Sequence, residues 1–239
     1  MPRFFVDPGN IGSTHIRLDA EDGAHIRVLR LGVKETFVVC DGMGGDYRCI
    51  LDGDAARILE QAENQAEPRV RCTVYLALTR GERMDYAIQK SVELGAHAIR
   101  LFPASRCVVR YEGKDVAKKL ARLQKIALEA AKQSGRGMVP RVTAASDFRS
   151  AMTEAALAEQ PLFFYENEVG QGIRAALDRR PEFQSASLVI GPEGGFADEE
   201  AALASEMGLS SVSLGARILR AETAPVVALA GVLFYSGDL

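Results

Sequence analysis

Short apolar runs alternate with longer amphipathic stretches from about residue 70 to the end of this chain. Apolar residues spaced by three and four predict helices over residues 82–94 and 116–134. Strands are predicted over residues 72–78, 98–102, 162–165, 188–190 and 212–214. This alternation predicts an α/β fold, in which a mostly parallel sheet is covered by helices.

The first 70 residues show only short segments typical of strands. Residues 36–40 and 47–51 are rich in β-branched and aromatic side chains and flank the turn-forming residues 41–46, which predicts a hairpin. A polar run over residues 61–67 precedes Pro68 and indicates a boundary. We therefore expect a small β-barrel over residues 1–70 and an α/β domain over residues 71–239. Small barrels serve many roles, so this one does not by itself define a function.

Two glycine-bearing loops follow the last two predicted strands, where ligands of open α/β sheets bind. The first loop lacks the Gly-Lys-Ser/Thr ending and the G-x-G-x-x-G pattern of phosphate-binding loops. No lysine or arginine lies between Gly191 and Met207, and residues 198–200 are all acidic. Because these carboxylates would repel a phosphate at the same helix end, we expect a neutral or cationic ligand close to Gly191, Gly194 and Gly195. The alternative is an ordinary strand-to-helix turn with an acidic first turn.

The second loop combines apolar and charged residues. The apolar residues around Gly215 suit the enclosure of an aromatic base, and they are Leu214, Ile218 and Leu219. Arg220 and Glu222 follow, just before a strongly apolar segment over residues 224–235. That segment is too short to span a bilayer and indicates a core or a subunit interface. The alternative for Arg220 and Glu222 is a simple ion pair at a helix start.

The net charge of −3 conceals a strong asymmetry along the chain. Residues 1–71 carry −3, residues 72–142 carry +8 and residues 143–239 carry −8. Such a basic middle segment indicates contact with a polyanion. Four cations of the helix over residues 116–134 lie within about 80° of arc on one face, and they are Lys118, Arg122, Lys125 and Lys132. They can follow a phosphate backbone, together with Arg106, Arg110 and Arg136, although a solvated surface is the alternative.

Several segments carry a resemblance to a known class of enzymes. They are Ile-Gly-Pro-Glu-Gly-Gly at residues 190–195, the second loop at residues 214–224, and residues 2–5, 25–30, 83–95, 105–107 and 124–136. These segments occur in the same order as in the SPOUT class of RNA methyltransferases and extend over nearly the whole chain, which therefore resembles that class. Within that class it is similar to the family that methylates N3 of one uridine in 16S ribosomal RNA.

The resemblance implies a cofactor, a fold and an assembly. The methyl donor would be S-adenosyl-L-methionine, whose sulfonium cation and lack of phosphate agree with the acidic first loop. The family also implies a C-terminal trefoil knot, a PUA-like RNA-binding β-barrel at the N-terminus and a homodimer acting on the small ribosomal subunit. Carried over by motif, the cofactor contacts are Gly191, Glu193, Gly194, Leu214, Gly215, Ile218, Leu219 and Thr223.

Uridine N3 is protonated at neutral pH and becomes nucleophilic when that proton leaves. We expect Arg220 to stabilise the anionic base and Glu222 to orient Arg220 or to accept the proton. The alternative is that both residues brace the loop. In the first domain, the candidates for RNA binding are His25, Arg27 and Arg30. The alternative is an ordinary alternating strand whose cations point outward, because it would have the same sequence pattern.

Other classes of function are less well supported. The four cysteines and three histidines are scattered, so we expect no metal site, cysteines that fill the core, and a reducing cytoplasmic setting. No signal peptide is evident. Two rivals stay open: a SPOUT methyltransferase for another ribosomal or transfer RNA site, such as a ribose oxygen, and a non-catalytic ribosome assembly factor. The intact loops disfavour the second, and a hydrolase would need a Gly-x-Ser-x-Gly elbow or clustered histidines that are absent from the sequence.

Overall fold

A computed structural model of the chain describes residues 1–28, 35–111 and 115–239. These residues form two compact units. The first unit is Met1–Glu67 together with Glu129–Val139, and the second is Pro68–Leu128 together with Pro140–Leu239. The division into functional domains at residues 70 and 71 stays a prediction.

The first unit contains a five-stranded sheet in the order β1-β3-β4-β5-β2. Its strands are β1 (Arg3–Phe5), β2 (His15–Arg17), β3 (Thr36–Cys40), β4 (Gly45–Asp52) and β5 (Ala55–Glu63). The predicted hairpin is confirmed, because β3 pairs antiparallel with β4. Among the described strands of this sheet, β1 pairs parallel with β3 and the other pairs are antiparallel. Phe4 and Phe37 meet edge to face in the core, with ring centroids 5.6 Å apart.

One expectation for this unit is wrong. The alternating strand considered for the segment around His25 and Arg27 is instead helix α1 (Ala20–Val28). Asp19 explains the helix start, because its Oδ1 accepts a hydrogen bond from the backbone N–H of Asp22 at 2.7 Å. An aspartate that binds the N–H three residues later is a common helix N-cap, and this signal outweighs the alternation.

The second unit is built on a six-stranded sheet in the order β11-β9-β10-β6-β7-β8, and all its pairings are parallel. This confirms the predicted parallel α/β sheet. The strands are β6 (Arg71–Ala77), β7 (Ala98–Phe102), β8 (Arg141–Ala144), β9 (Gln160–Phe164), β10 (Ser185–Ile190) and β11 (Ser210–Val212). The remaining helices are α2 (Gly81–Glu93), α3 (Asp115–Ser134), α4 (Phe148–Ala155), α5 (Ile173–Leu177), α6 (Asp198–Glu206) and α7 (Ala224–Ser236).

Aromatic packing fixes the turn that follows β10. The ring of Phe196 is fully buried, 4.3 Å from that of Phe163 and stacked at 6.4 Å on that of Phe102. Aromatic pairs at such distances contribute beyond their buried area. Phe196 therefore anchors the first glycine loop to the core, immediately after the loop has passed the sheet edge.

Both long helices α3 and α7 bury one face. In α3, the predicted core positions Leu123, Ala127 and Ala130 are buried. In α7, one face is buried, whereas Val227 and Phe234 are 39% and 75% exposed. Because these two residues are seven positions apart, they lie on the same outward face.

None of the helices in the described ranges is long and apolar enough to cross a membrane.

The residues after α7 are tied to the start of β6 by Asp238. Its carboxylate accepts hydrogen bonds from the backbone N–H groups of Arg69 and Val70, from Arg69 Nε at 2.9 Å and from Ser236 Oγ at 2.9 Å. Burial alone would raise the pKa of Asp238. The hydrogen bonds, that from the Arg69 side chain first, outweigh burial and hold the pKa below its usual 3.8.

We expect Asp238→Ala to lower the free energy of unfolding at neutral pH by about 2–3 kcal/mol, because donors at Arg69 and Val70 lose a charged acceptor. The folded pKa is lower than the unfolded one, so this stabilisation is present above about pH 4 and is lost as the pH falls through the folded pKa. Urea unfolding at pH 7 and pH 3 measures both effects. Asp178→Ala is the control: that exposed carboxylate accepts a bond from Tyr235 Oη, and its loss should barely move the midpoint. Equal midpoints for Asp238→Ala and the wild type at pH 7 would contradict the assignment.

Candidate active site

A cavity of about 460 Å³ opens at the carboxyl ends of three neighbouring strands, β11, β9 and β10. Both glycine loops line it. Of the predicted cofactor and catalytic residues, the structure brings together Gly191, Glu193, Gly194, Leu214, Gly215, Ile218, Leu219, Arg220 and Glu222. Thr223 is not among the lining residues. It occupies the N-cap position of α7, where its backbone N–H donates to the Arg220 carbonyl oxygen at 2.9 Å.

The first loop passes so close to its neighbours that larger residues would not fit. Gly195 has a φ of +68°, and a Cβ atom there would overlap Glu166 Oε1. The same Oε1 accepts a hydrogen bond from the backbone N–H of Phe196 at 3.1 Å. A Cβ at Gly191 would lie 3.1 Å from the Phe196 ring. The loop is thus held between Glu166 and Phe196, with its backbone facing the cavity.

The second loop is held at its start and exposed further on. Ser213 donates its backbone N–H to the Gln171 carbonyl oxygen at 2.8 Å, and Ser213 Oγ accepts from the Gly215 N–H at 3.2 Å. Gly215 has a φ of +102°, which turns the chain sharply after β11. Ile218 is 78% exposed although it lines the cavity. The cavity therefore has an apolar rim.

Charged side chains on the cavity wall form a cluster. Arg83 Nη1 lies 3.1 Å from Glu193 Oε1, and Arg83 Nε lies 4.0 Å from Glu222 Oε2. The backbone N–H of Arg80 also donates to Glu193 Oε1, at 3.3 Å. Among the described residues, no hydrogen-bond donor reaches the buried Oε2 atoms of Glu193 and Glu222. Both atoms are themselves buried, so the two carboxylates contribute negative charge to the cavity wall.

This arrangement overturns the simple ion pair considered for Arg220 and Glu222. Glu222 faces Arg83, and within the described ranges no ion pair joins it to Arg220. Arg220 is exposed and lines the cavity without a described carboxylate partner. The reason is that Arg83, which comes from α2, occupies the position beside Glu222.

Some lining residues were missed. Glu166 and Tyr165 follow β9, and the rule that ligands bind beyond strand ends would have found them. Tyr165 Oη donates to Asp198 Oδ1 at 2.6 Å, and this bond raises the pKa of Tyr165. Arg83 lies near the start of α2, at a sequence separation of 110 from Glu193, and no local pattern connects the two. Arg217, in the second loop, also lines the cavity.

The predicted RNA-binding residues have different surroundings. Arg106 and Arg110 are exposed, and Arg106 Nη1 donates to the Gly194 carbonyl oxygen at 3.1 Å. On α3, Lys118 and Lys125 are exposed, whereas the guanidinium of Arg122 forms two 2.7 Å bonds to Asp85. His25 and Arg27 lie on α1, and Arg30 lies outside the described residues.

Arg136 needs correction. It is 2% exposed, and its guanidinium donates to both carboxylate oxygens of Glu67, at 3.2 and 2.6 Å. A buried, paired guanidinium is not available to a phosphate group. We therefore assign Arg136 to the interior of the first unit and remove it from the proposed RNA contacts.

Three of the four cysteines lie in the core, as predicted, and Cys107 is partly buried. Cys40, Cys49 and Cys72 are buried, and burial raises their pKa values to about 12, 11 and 12. Such thiols are poor nucleophiles and poor metal ligands. In the described part of the chain, no group of three His, Cys, Asp or Glu residues is placed to hold a metal ion.

Family models match both parts of the chain. The model of an RNA methyltransferase domain matches residues 66–233, and that of an RNA methyltransferase PUA domain matches residues 18–59. A ribosomal RNA small subunit methyltransferase E of Bacillus subtilis is 32% identical over 227 residues, which covers 91% of this chain and 89% of that protein. The protein of the same name from Synechocystis is 36% identical, with 86% and 68% covered.

A solved structure agrees with these relatives. The ribosomal RNA small subunit methyltransferase E of Neisseria gonorrhoeae, bound to S-adenosylmethionine, superposes with a TM-score of 0.83 at 33% identity. The superposition covers 98% of this chain and 97% of that one. A protein of Legionella pneumophila, solved with the same bound cofactor, has a TM-score of 0.85 at 29% identity.

The parallel sheet, the loops at its edge and the PUA-like unit define an RNA methyltransferase of the SPOUT class. More narrowly, the chain belongs to the family of the ribosomal RNA small subunit methyltransferase E proteins.

Proposed function

We propose that this chain transfers the methyl group of S-adenosylmethionine to N3 of one uridine in 16S ribosomal RNA. The observation that carries the proposal is the cavity between the two glycine loops, which has the acidic side chains Glu193 and Glu222 in its wall. The trefoil knot implied by the resemblance stays a prediction.

The lining residues fit this methyl donor. When bound, S-adenosylmethionine supplies an activated methyl group on a positively charged sulfur. Glu193 and Glu222 place negative charge in the cavity wall, which attracts its cationic groups. Apolar Ile190 and Leu219 offer a surface for its base, and the backbone of the first loop is open to close approach. We do not expect Thr223 to contact it directly, because that residue lies outside the cavity lining.

Arg220 and Glu222 are assigned the chemistry at the uracil. Because Arg220 is exposed at the cavity and carries no described carboxylate partner, its guanidinium can donate to a uracil carbonyl oxygen and stabilise the anion. Among the described residues no ion pair joins Glu222 to Arg220, so of its two predicted roles we assign Glu222 that of proton acceptor from N3. An in-line displacement also requires that the methyl donor is aligned with N3 and that water is excluded from the site.

RNA is bound, in this proposal, by the basic residues of the second unit that stay exposed. They are Arg106, Arg110, Lys118 and Lys125, with Arg122 available if RNA replaces Asp85. His25, Arg27 and Arg30 of the first unit stay predicted contacts. Direct reading of an unstacked uridine at the cavity suits the exposed, apolar Ile218.

We expect Lys118→Ala to weaken binding of 16S ribosomal RNA uniformly and to reduce the slope of log affinity against log salt by about one. The physical reason is the loss of one phosphate contact and of the counterions it releases. Filter binding at several salt concentrations measures the slope. Arg174→Ala removes an equally exposed cation from α5, in the acidic final third, and should leave the slope unchanged. An unchanged slope for Lys118→Ala would place RNA elsewhere.

The proposed assembly is a homodimer that acts in the cytoplasm on the small ribosomal subunit. The exposed apolar Val227 and Phe234 on one face of α7 support an interface there. Light scattering of the wild type and of Phe234→Glu tests this, since a charge on a buried interface would shift the protein to monomer.

The experiment that tests the function uses purified small subunits lacking the modification, the full chain and S-adenosylmethionine with a labelled methyl group. Mapping the label is expected to give N3 of a single uridine in 16S ribosomal RNA. A label on a ribose oxygen would show that the enzyme methylates a different site, and absence of label from RNA would overturn the proposal.

A further inference from the structure

Three charged side chains from three separate segments meet on the inner wall of the cavity. Arg83 comes from α2, Glu193 from the first glycine loop and Glu222 from the second. One guanidinium faces two carboxylates, at 3.1 Å from Glu193 and 4.0 Å from Glu222. This cluster therefore carries one formal negative charge in excess.

The two carboxylates of the cluster are less exposed than the other charges of the cavity, whereas the Arg83 side chain is 43% exposed. The side chains of Glu193 and Glu222 are 19% and 20% exposed. The remaining charged lining residues are all exposed, and they are Glu166, Arg217 and Arg220. Because solvent screens exposed charges more than buried ones, the two carboxylates dominate the field that a ligand meets within the cavity.

We propose that Arg83 is a positioning residue that holds Glu193 and Glu222 against the cavity, and that the excess negative charge of this cluster selects the methyl donor over its demethylated product. This inference rests on the proposed function. S-Adenosylmethionine carries a sulfonium, an ammonium and a carboxylate, so its net charge is one positive. S-Adenosylhomocysteine has a neutral sulfur and a net charge of zero. The donor therefore compensates the cluster, and the product leaves it uncompensated.

Arg83 can hold both carboxylates because α2 is anchored firmly. Met84, Ala87 and Ile88, which follow Arg83 on the helix, are buried in the core of the second unit. The guanidinium and the Arg80 N–H both bind Oε1 of Glu193 and leave its Oε2 unpartnered. Without Arg83, two carboxylates on converging loops would repel each other, and one would turn away from the cavity.

The first test measures dissociation constants of S-adenosylmethionine and S-adenosylhomocysteine by calorimetry on the full chain. We expect Glu193→Gln and Glu222→Gln each to reduce the product-to-donor ratio of these constants by about tenfold, chiefly through weaker donor binding. Glu199→Gln is the matched control: it removes the same charge from an exposed residue outside the cavity, and its ratio should match the wild type. Because both constants come from one preparation, partial unfolding lowers the stoichiometry but not the ratio.

The second test is a double-mutant cycle for the positioning role. In an Arg83→Gln background, Glu193→Gln should change the logarithm of the product-to-donor ratio by less than half of its change in the wild-type background. The reason is that Arg83 no longer holds the carboxylate. Arg83→Lys keeps the cation and should restore most of the effect. Additive changes of Arg83→Gln and Glu193→Gln would show that Arg83 does not position the carboxylate.

The outcomes separate this inference from the proposed function. If the wild type binds no S-adenosylmethionine, the proposed function fails. If the wild type binds it but the glutamine variants keep the wild-type ratio, only the selection by charge is overturned. Equal losses for donor and product would likewise overturn it, since the carboxylates would then brace the loops.

Discussion

Arg220→Ala is expected to keep the affinity for S-adenosylmethionine and to lower the methylation rate about 10²- to 10³-fold. Arg220 is exposed at the cavity and has no carboxylate partner among the described residues, so its removal leaves no buried charge unpaired. What is lost is the stabilisation of negative charge on the uracil when N3 gives up its proton. Single-turnover kinetics with small subunits measure the rate, and calorimetry measures cofactor affinity.

Arg220→Lys separates charge from geometry in the same experiment. Lysine keeps the positive charge but lacks the planar fork of the guanidinium, so an intermediate rate is expected. Normal turnover of Arg220→Ala would exclude the catalytic role. Loss of cofactor binding in that variant would show instead that the Arg220 side chain supports the loop. The backbone carbonyl oxygen of Arg220 already accepts hydrogen bonds from the N–H groups of Thr223 and Ala224.

The sheet and its functional edge could be predicted because their signals are local. The apolar run that ends at Gly191 forms the end of β10, whereas the predicted strand over residues 212–214 shares only Val212 with β11. In the folded sheet these two strands flank β9. Parallel strands bring their carboxyl ends to one edge, so two loops about 20 residues apart meet in one cavity. The acidic start of α6 is likewise a local signal, and it predicts a neutral or cationic ligand.

The residues that were missed or misassigned depend on tertiary contacts. Arg83 reaches Glu193 and Glu222 because α2 begins after β6, which is the neighbour of β10 in the sheet, and the sequence neighbours of Arg83 give no sign of this. Arg136 belongs to a basic segment, yet Glu67, at a sequence separation of 69, accepts its guanidinium in the interior. Charge counts along a chain detect an excess of cations, but they do not distinguish those that stay free from those that are paired.

Gly195→Ala is expected to reduce the affinity for S-adenosylmethionine by roughly a hundredfold or more. An alanine at a φ of +68° costs about 1–2 kcal/mol. Its Cβ would also displace Glu166 from the backbone N–H of Phe196, and the loss of a charged acceptor costs about 1.5–3 kcal/mol. Together these terms disfavour the loop conformation that faces the cavity. Calorimetry on the variant measures the affinity.

Two further variants divide that loss into its causes. Gly208→Ala adds a methyl group at a φ of +91° with open space around it, after α6 and outside the cavity, so it should lower stability without changing cofactor affinity. In Gly195→Ala combined with Glu166→Ala the overlap is gone, but the backbone strain and the missing acceptor remain, so only part of the affinity should return. Wild-type affinity in Gly195→Ala would mean that the bound cofactor does not need this loop as the structure shows it.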